Sequence, residues 1–391
     1  MRLFSTELKP RNLFRVEVAY AIVALLLILS SPVFPQTSDA SGSSNNSRAA
    51  IEEYALGRTL YLTLTIDSIS AGVDHLLNVV ENDPENLRAW YTLSNAYRTG
   101  ALMLKSNTDE WEQKSRDTAE QLLILAPDSQ SATRLIGRNY IDQGDWVEAE
   151  RILKRPQSLE SDSQWSKALD ISYGTFLLSV GMVRESGHYL ERARETDYLA
   201  AVIYSHLGKV YAAMGDYDRS FKIIDQGRTL FTEPSDNDRW LPLLRKTALF
   251  VALATDNQQL IEARAKEILI ADLGAGEIDV QIRALSADKL TLRNTLRRLW
   301  LEPTNQYGFR AETIAYWAAY ADDYELTYDA LSKLPIDLAT VAFWQPVMKE
   351  FRKQAGFKDL LQERRIVDYW RETGNWGDFC RPVGEDDFEC N

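Results

Sequence analysis

Few side chains in this sequence are placed for chemistry. Cys380 and Cys390 stand ten positions apart near the end of a 391-residue chain. A loop through Pro382 and Gly384 can join them, and their spacing is not the CxxC of a redox catalyst. The three histidines, His75, His188 and His206, belong to no HExxH pair, and two cysteines at one end do not make a zinc site, so no metal is expected. There is no Walker loop, GxGxxG or GxSxG. Glu385, Asp386 and Asp387 lack the alternating oxygen ligands of an EF-hand and read as a solvated acidic turn. No catalytic residue or cofactor is assigned, and an enzyme is not expected. Arg134 and Arg138 are more promising, being one helical turn apart. Guanidinium groups hold carboxylates through two parallel hydrogen bonds.

Charge and composition narrow the partners. A net charge of −13 and a pI near 4.9 argue against a nucleic-acid partner, which needs clustered lysine and arginine. With 45% hydrophobic residues the chain has the composition of a folded protein. At the N-terminus, Arg2, Lys9, Arg11 and Arg15 precede an apolar run from Val18 to Leu29 that continues weakly to Phe34. The shorter count fits the core of a cleaved signal peptide and the longer one reaches the lower limit for a spanning helix. Ser38-Asp39-Ala40 offers a cleavage site, so both alternatives stay open. Each leaves the basic segment cytoplasmic and carries the body across a membrane.

The elements that must position these residues are helices. From Ala49 onward apolar residues recur at helical spacing, and no β-type alternation persists. The segments 136–156, 173–193 and 207–227 share one template: Gly137, Gly144, Ala149; Gly174, Gly181, Ser186; Gly208, Gly215, Ser220. Gly174 and Gly208 are 34 residues apart, and LRAWYTLSNAYRTG (87–100) supplies a fuller first helix with Trp90, Leu93, Ser94 and Tyr97. About nine extra residues separate Ser94 from Gly137, expected at the turn around Leu104 to Asp109. Past residue 236 the pattern decays, then returns at 311–331 with Asp322-Asp323-Tyr324 in the place of Gly-Asp-Tyr.

These positions resemble the tetratricopeptide repeat (TPR), in which small residues let paired helices touch and hairpins stack into a solenoid. The resemblance implies an all-α right-handed solenoid whose concave face is built from first helices. If Ser94, Gly137 and Gly208 are equivalent, then Asn95, Arg138 and Lys209 share that face with Arg134. The set resembles part of the carboxylate clamp of TPR domains that hold C-terminal peptide tails. A salt link from Arg138 to Asp142 is the alternative. The segments 7–28 and 343–390 are also similar to the ends of a group of bacterial membrane-anchored TPR proteins. Many members of that group carry a cytoplasmic winged-helix or cyclase domain, which has no counterpart here.

The resulting expectation is a basic cytoplasmic segment (1–17), a transmembrane or signal helix (18–35), a Ser/Gly/Asn-rich tether (36–48), clear repeats (49–235), degenerate repeats (236–340) and a C-terminal cap (341–391). The cap's aromatics, Tyr369, Trp370, Trp376 and Phe379, would cover the final helices, and a Cys380–Cys390 disulfide would close it. The expected setting is the bacterial inner membrane, anchored through residues 18–34 with a periplasmic body, or the periplasm after signal cleavage. The expected function is a scaffold for a protein or peptide in envelope assembly or regulation. A sensor signalling to a membrane partner and a cell-envelope hydrolase are the alternatives.

Overall fold

The computed structural model describes residues 44–62, 66–103, 108–127, 129–154, 166–196, 201–230, 234–255, 257–269, 288–306 and 308–391. Contacts divide the chain into two compact units, meeting in sequence at Pro127 and Asp128.

The first unit contains α1 (Ser44–Leu62), α2 (Ile66–Asn82), α3 (Leu87–Met103) and α4 (Thr108–Leu125). Val73, Leu76, Val79, Leu93 and Ala96 form its core. Glycine lets α1 and α2 touch, because a Cβ on Gly72 would come within 2.7 Å of the Gly57 carbonyl. In the α3–α4 hairpin serines make the close approach. Ser94 Oγ donates to the Ser115 carbonyl at 3.0 Å and Ser115 Oγ returns a bond to the Ser94 carbonyl at 3.1 Å. The extra residues expected at the turn instead lengthen both helices by about one turn each, which backbone hydrogen bonding favours over a long loop. The turn itself, 104–107, lies outside the described residues.

The second unit begins with the hairpins α5 (Gln130–Asp142) and α6 (Trp146–Leu153), α7 (Ser166–Ser179) and α8 (Val183–Thr196), and α9 (Ala201–Ala213) and α10 (Tyr217–Leu230). The shared template has a direct physical basis. Ser186 Oγ donates to the Gly174 carbonyl at 2.6 Å, and Ser220 Oγ donates to the Gly208 carbonyl at 2.7 Å. The turns follow the same logic. Gly144, Gly181 and Gly215 have φ of 68°, 86° and 82°, and Asp322 takes the same left-handed turn at 58°. At three of these turns the next residue is an aspartate that caps the following helix: Asp145 accepts from the Glu148 amide, Asp216 from that of Arg219 and Asp323 from that of Leu326.

Beyond these lie α11 (Pro234–Ala252), α12 (Gln258–Leu269), α13 (Lys289–Trp300), α14 (Gly308–Tyr320), α15 (Tyr324–Ser332), α16 (Ile336–Phe343), α17 (Ala355–Glu363) and α18 (Ile366–Thr373). The chain ends in an antiparallel hairpin, β1 (Cys380–Val383) with β2 (Asp387–Cys390), whose register sets Cys380 opposite Cys390. The two sulfurs are bonded. Replacing both cysteines by serine should lower stability by about 2–3 kcal/mol, the entropy of closing so short a loop. A denaturant midpoint checks this.

The C-terminal segment does not stop at the final helices. It returns to the first hairpins of its unit. The Trp370 indole donates to the Val180 carbonyl at 2.9 Å, the Trp344 indole to that of Ser179 at 3.2 Å, and the Trp146 indole to that of Arg364 at 2.7 Å. Asp378 receives the Arg184 amide at 2.9 Å and its own amide donates to the Gly181 carbonyl at 2.8 Å. Helix α16 packs on α5 and α7, the first helices of two successive hairpins. The second unit therefore fills part of its own inner face.

The expected inner-membrane location is corrected. No helix among the described residues is long and apolar enough to cross a membrane. The long ones show why: α1 carries Arg48, Glu52, Glu53 and Arg58, and α11 carries Asp236, Asp238, Arg239, Arg245 and Lys246. Residues 1–43, including the apolar run at 18–34, the cleavage site and most of the tether, lie outside the described residues, and α1 starts at Ser44.

Candidate functional site

Arg138 and Lys209 stand on the first helices α5 and α9, one residue beyond the glycines that bring the hairpin helices together. That position turns them away from the second helices and toward the C-terminal elements. Arg138 Nη2 donates to Asp337 Oδ2 at 2.7 Å, a carboxylate on α16 that is 7% exposed. Lys209 Nζ lies 3.8 Å from Glu312 Oε1 on α14, and Lys246 Nζ on α11 lies 2.6 Å from the other oxygen of Glu312. The chain itself thus supplies carboxylates to Arg138 and Lys209. The partner of Arg138 is 199 residues away, on an element the local α-helical pattern gave no reason to choose.

Arg134, one turn before Arg138, is partly exposed on the same helix. Asn95 belongs to the first unit, where its amide donates to the Tyr91 carbonyl at 2.8 Å. His75 bonds Glu53 at 2.8 Å in that unit, and His188 is exposed. Asp387 pairs with Lys358 at 2.7 Å, and no group of acids, histidines or cysteines among the described residues could hold a metal ion.

Several functional candidates were missed by sequence reasoning: His206, Lys246, Glu312 and Asp337. A signal was present. Glu312 and Asp337 each sit in a strongly apolar helical stretch, AETIAYWAAY and IDLATVAF, where a carboxylate demands a partner. Both are nearly buried.

The electrostatics follow from burial. Burial alone would raise the Glu312 carboxyl, but Lys246 and Lys209 outweigh it and hold the group below the usual carboxylate range. Burial pushes the Lys209 ammonium down, against the pull of Glu312. His206 lies one turn before Lys209, and its Nδ1 is buried without a hydrogen-bond partner among the described residues. Burial, then Lys209 and Arg138, push its imidazole down to about 3.

A folded-state pKa of about 3 has a testable sign. Below the ordinary histidine value of about 6.5 the unfolded chain takes up a proton that folded His206 refuses. Its share of stability is full above that value and is lost as pH falls toward about 3, by about 1.4 kcal/mol per unit. Denaturant unfolding from pH 7 to 5 should show this slope, and His206→Gln should flatten it.

The repeated hairpins and their glycine and serine contacts define a TPR-type helical repeat fold. No protein-family model matches the sequence, and no curated protein matches it. Among solved structures, an IFIT1 monomeric mutant with m7Gppp-AAAA is 14% identical with a TM-score of 0.52, covering 93% of this chain and 77% of that one. The human IFIT1 dimer with m7Gppp-AAAA is 13% identical with a TM-score of 0.51, covering 88% and 77%. A tetratricopeptide repeat protein from Parabacteroides merdae aligns at 14% identity and a TM-score of 0.43, covering 71% and 90%. At these identities the likeness to IFIT1 shows a shared fold.

Proposed function

We propose that this chain is a non-catalytic scaffold whose inner basic residues recognise carboxylates of a protein or peptide partner. One observation carries the reading: Arg138 and Lys209, at equivalent positions of two hairpins, each face a carboxylate in the folded chain. A partner's acidic segment competes there with Asp337 and extends along α5 to Arg134. TPR-type hairpins suit this role because they present long helical surfaces on a shared core. The IFIT1 structures hold m7Gppp-AAAA, whereas a net charge of −13 goes against a phosphate backbone as partner here.

The test is cross-linked affinity capture with the parent chain and with Arg134→Glu. Arg134 is the better choice for reversal, because glutamate at 138 would face Asp337 with like charge and disturb the fold. The charge-reversed chain should lose partners that the parent retains. Recovery of every partner by both chains contradicts the reading.

A further inference from the structure

We propose that the C-terminal hairpin is a redox-released clasp: a dithiol that reduces Cys380–Cys390 frees residues 380–391 from α18 while the helices of the second unit stay folded. The bond closes the open end of a two-stranded sheet, since the register sets Cys380 opposite Cys390 and Val383 opposite Asp387 at the turn. An isolated two-stranded hairpin is marginal in water. This one has few other anchors. Every residue from Arg381 to Asp387 is exposed, and Phe388 is the only side chain past Cys380 that is buried. It packs on Trp370 and Trp376, each 6.3 Å away between ring centroids. Two further ties are ion pairs between exposed side chains, Lys358 with Asp387 and Arg381 with Glu389, and such pairs contribute little. Arg371 and Arg352 each donate to one carbonyl, of Asp386 and Asn391. Against these, closing a loop of ten residues by a covalent bond favours the closed hairpin about a hundredfold.

The bond is within reach of a reductant. Cys390 is partly exposed between exposed Glu389 and Asn391, whereas Cys380 is buried. A thiolate of the dithiol attacks Cys390 Sγ, forms a mixed disulfide there and expels Cys380 as a thiolate, which takes up a proton. The second thiolate of the reductant then closes its own disulfide and releases Cys390, which is protonated in turn. The protein gains two electrons and two protons, and the dithiol loses them. The chain has no other cysteine, so neither step is diverted within it and oxidation restores the same bond. Opening withdraws Phe388 and uncovers the faces of Trp370 and Trp376. It stops there because the other ties of the C-terminal segment do not pass through the bond. Those from Trp370 to the Val180 carbonyl, and from Asp378 to Arg184 and Gly181, lie before Cys380 in the chain.

The experiment is hydrogen–deuterium exchange of the full chain, read by mass spectrometry with and without dithiothreitol in native buffer, with iodoacetamide labelling to count free thiols. Reduced protein should carry two labels. Its peptides over 380–391 should lose about a hundredfold in protection, while those over α7, α8 and α9 keep theirs. The double variant Cys380→Ser with Cys390→Ser should show the same local loss without reductant and no further response to it. Three results overturn the proposal: hairpin protection that survives after both thiols are labelled, helices that lose protection together with the hairpin, or thiols that label only in denaturant. The readout uses no partner, so it is independent of the partner-capture test.

Discussion

Replacing Glu312 by alanine should destabilise the second unit by roughly 3–5 kcal/mol, the cost of leaving buried charge without its partner. The carboxylate is 3% exposed at its side chain and is shared by Lys209 and Lys246, themselves 9% and 12% exposed. Its removal takes away the carboxylate that the two ammonium groups share, and the nearby Asp337 is already engaged by Arg138 at 2.7 Å. A urea midpoint measures the loss. The triple change of Glu312, Lys209 and Lys246 to apolar residues of similar volume should recover much of it, since a buried ion cluster is worth little against good apolar packing. If Glu312→Ala alone shifts the midpoint by less than 1 kcal/mol, the cluster is solvated and not enclosed as described.

Trp370→Ala should cost a comparable amount, about 3–5 kcal/mol for deletion of a fully buried large aromatic. The indole packs on Trp376 at 5.3 Å and Trp344 at 6.1 Å between ring centroids, and its N–H satisfies the Val180 carbonyl. The loss therefore combines a cavity with an orphaned acceptor. Trp376, only partly buried, serves as the internal comparison and should cost less when truncated. Equal and small effects at the two positions contradict the account of a C-terminal segment seated on the α7–α8 turn.

What was legible in the sequence is what neighbouring residues decide. Gly137, Gly174 and Gly208 announced close helix pairs because a Cβ at each would collide with a side chain of the paired helix. Gly-Asp-aromatic turns announced themselves through left-handed backbone and capping chemistry, even where Asp322 replaces glycine. The return of the C-terminal segment was not legible. Apolar periodicity in 336–343 says which face of α16 is buried, but not that α5 and α7 cover it. Tyr369, Trp370 and Trp376 were expected to cover the nearest helices, because proximity in sequence was the only guide, whereas the Trp370 indole reaches the Val180 carbonyl. At the candidate site the helical frame put Arg134, Arg138 and Lys209 on first helices. The acids that face Arg138 and Lys209 come from far along the chain, and only their isolation in apolar helices marked them.

The central claim is that the inner basic residues hold carboxylates delivered by the chain's own C-terminal half. A double-mutant cycle on Arg138 and Asp337 tests it most directly, using stability measured for Arg138→Ala, Asp337→Ala and the pair. The account predicts a coupling energy of at least about 1 kcal/mol, as for side chains in direct contact. Additive single effects, with coupling within about 0.3 kcal/mol of zero, would contradict it.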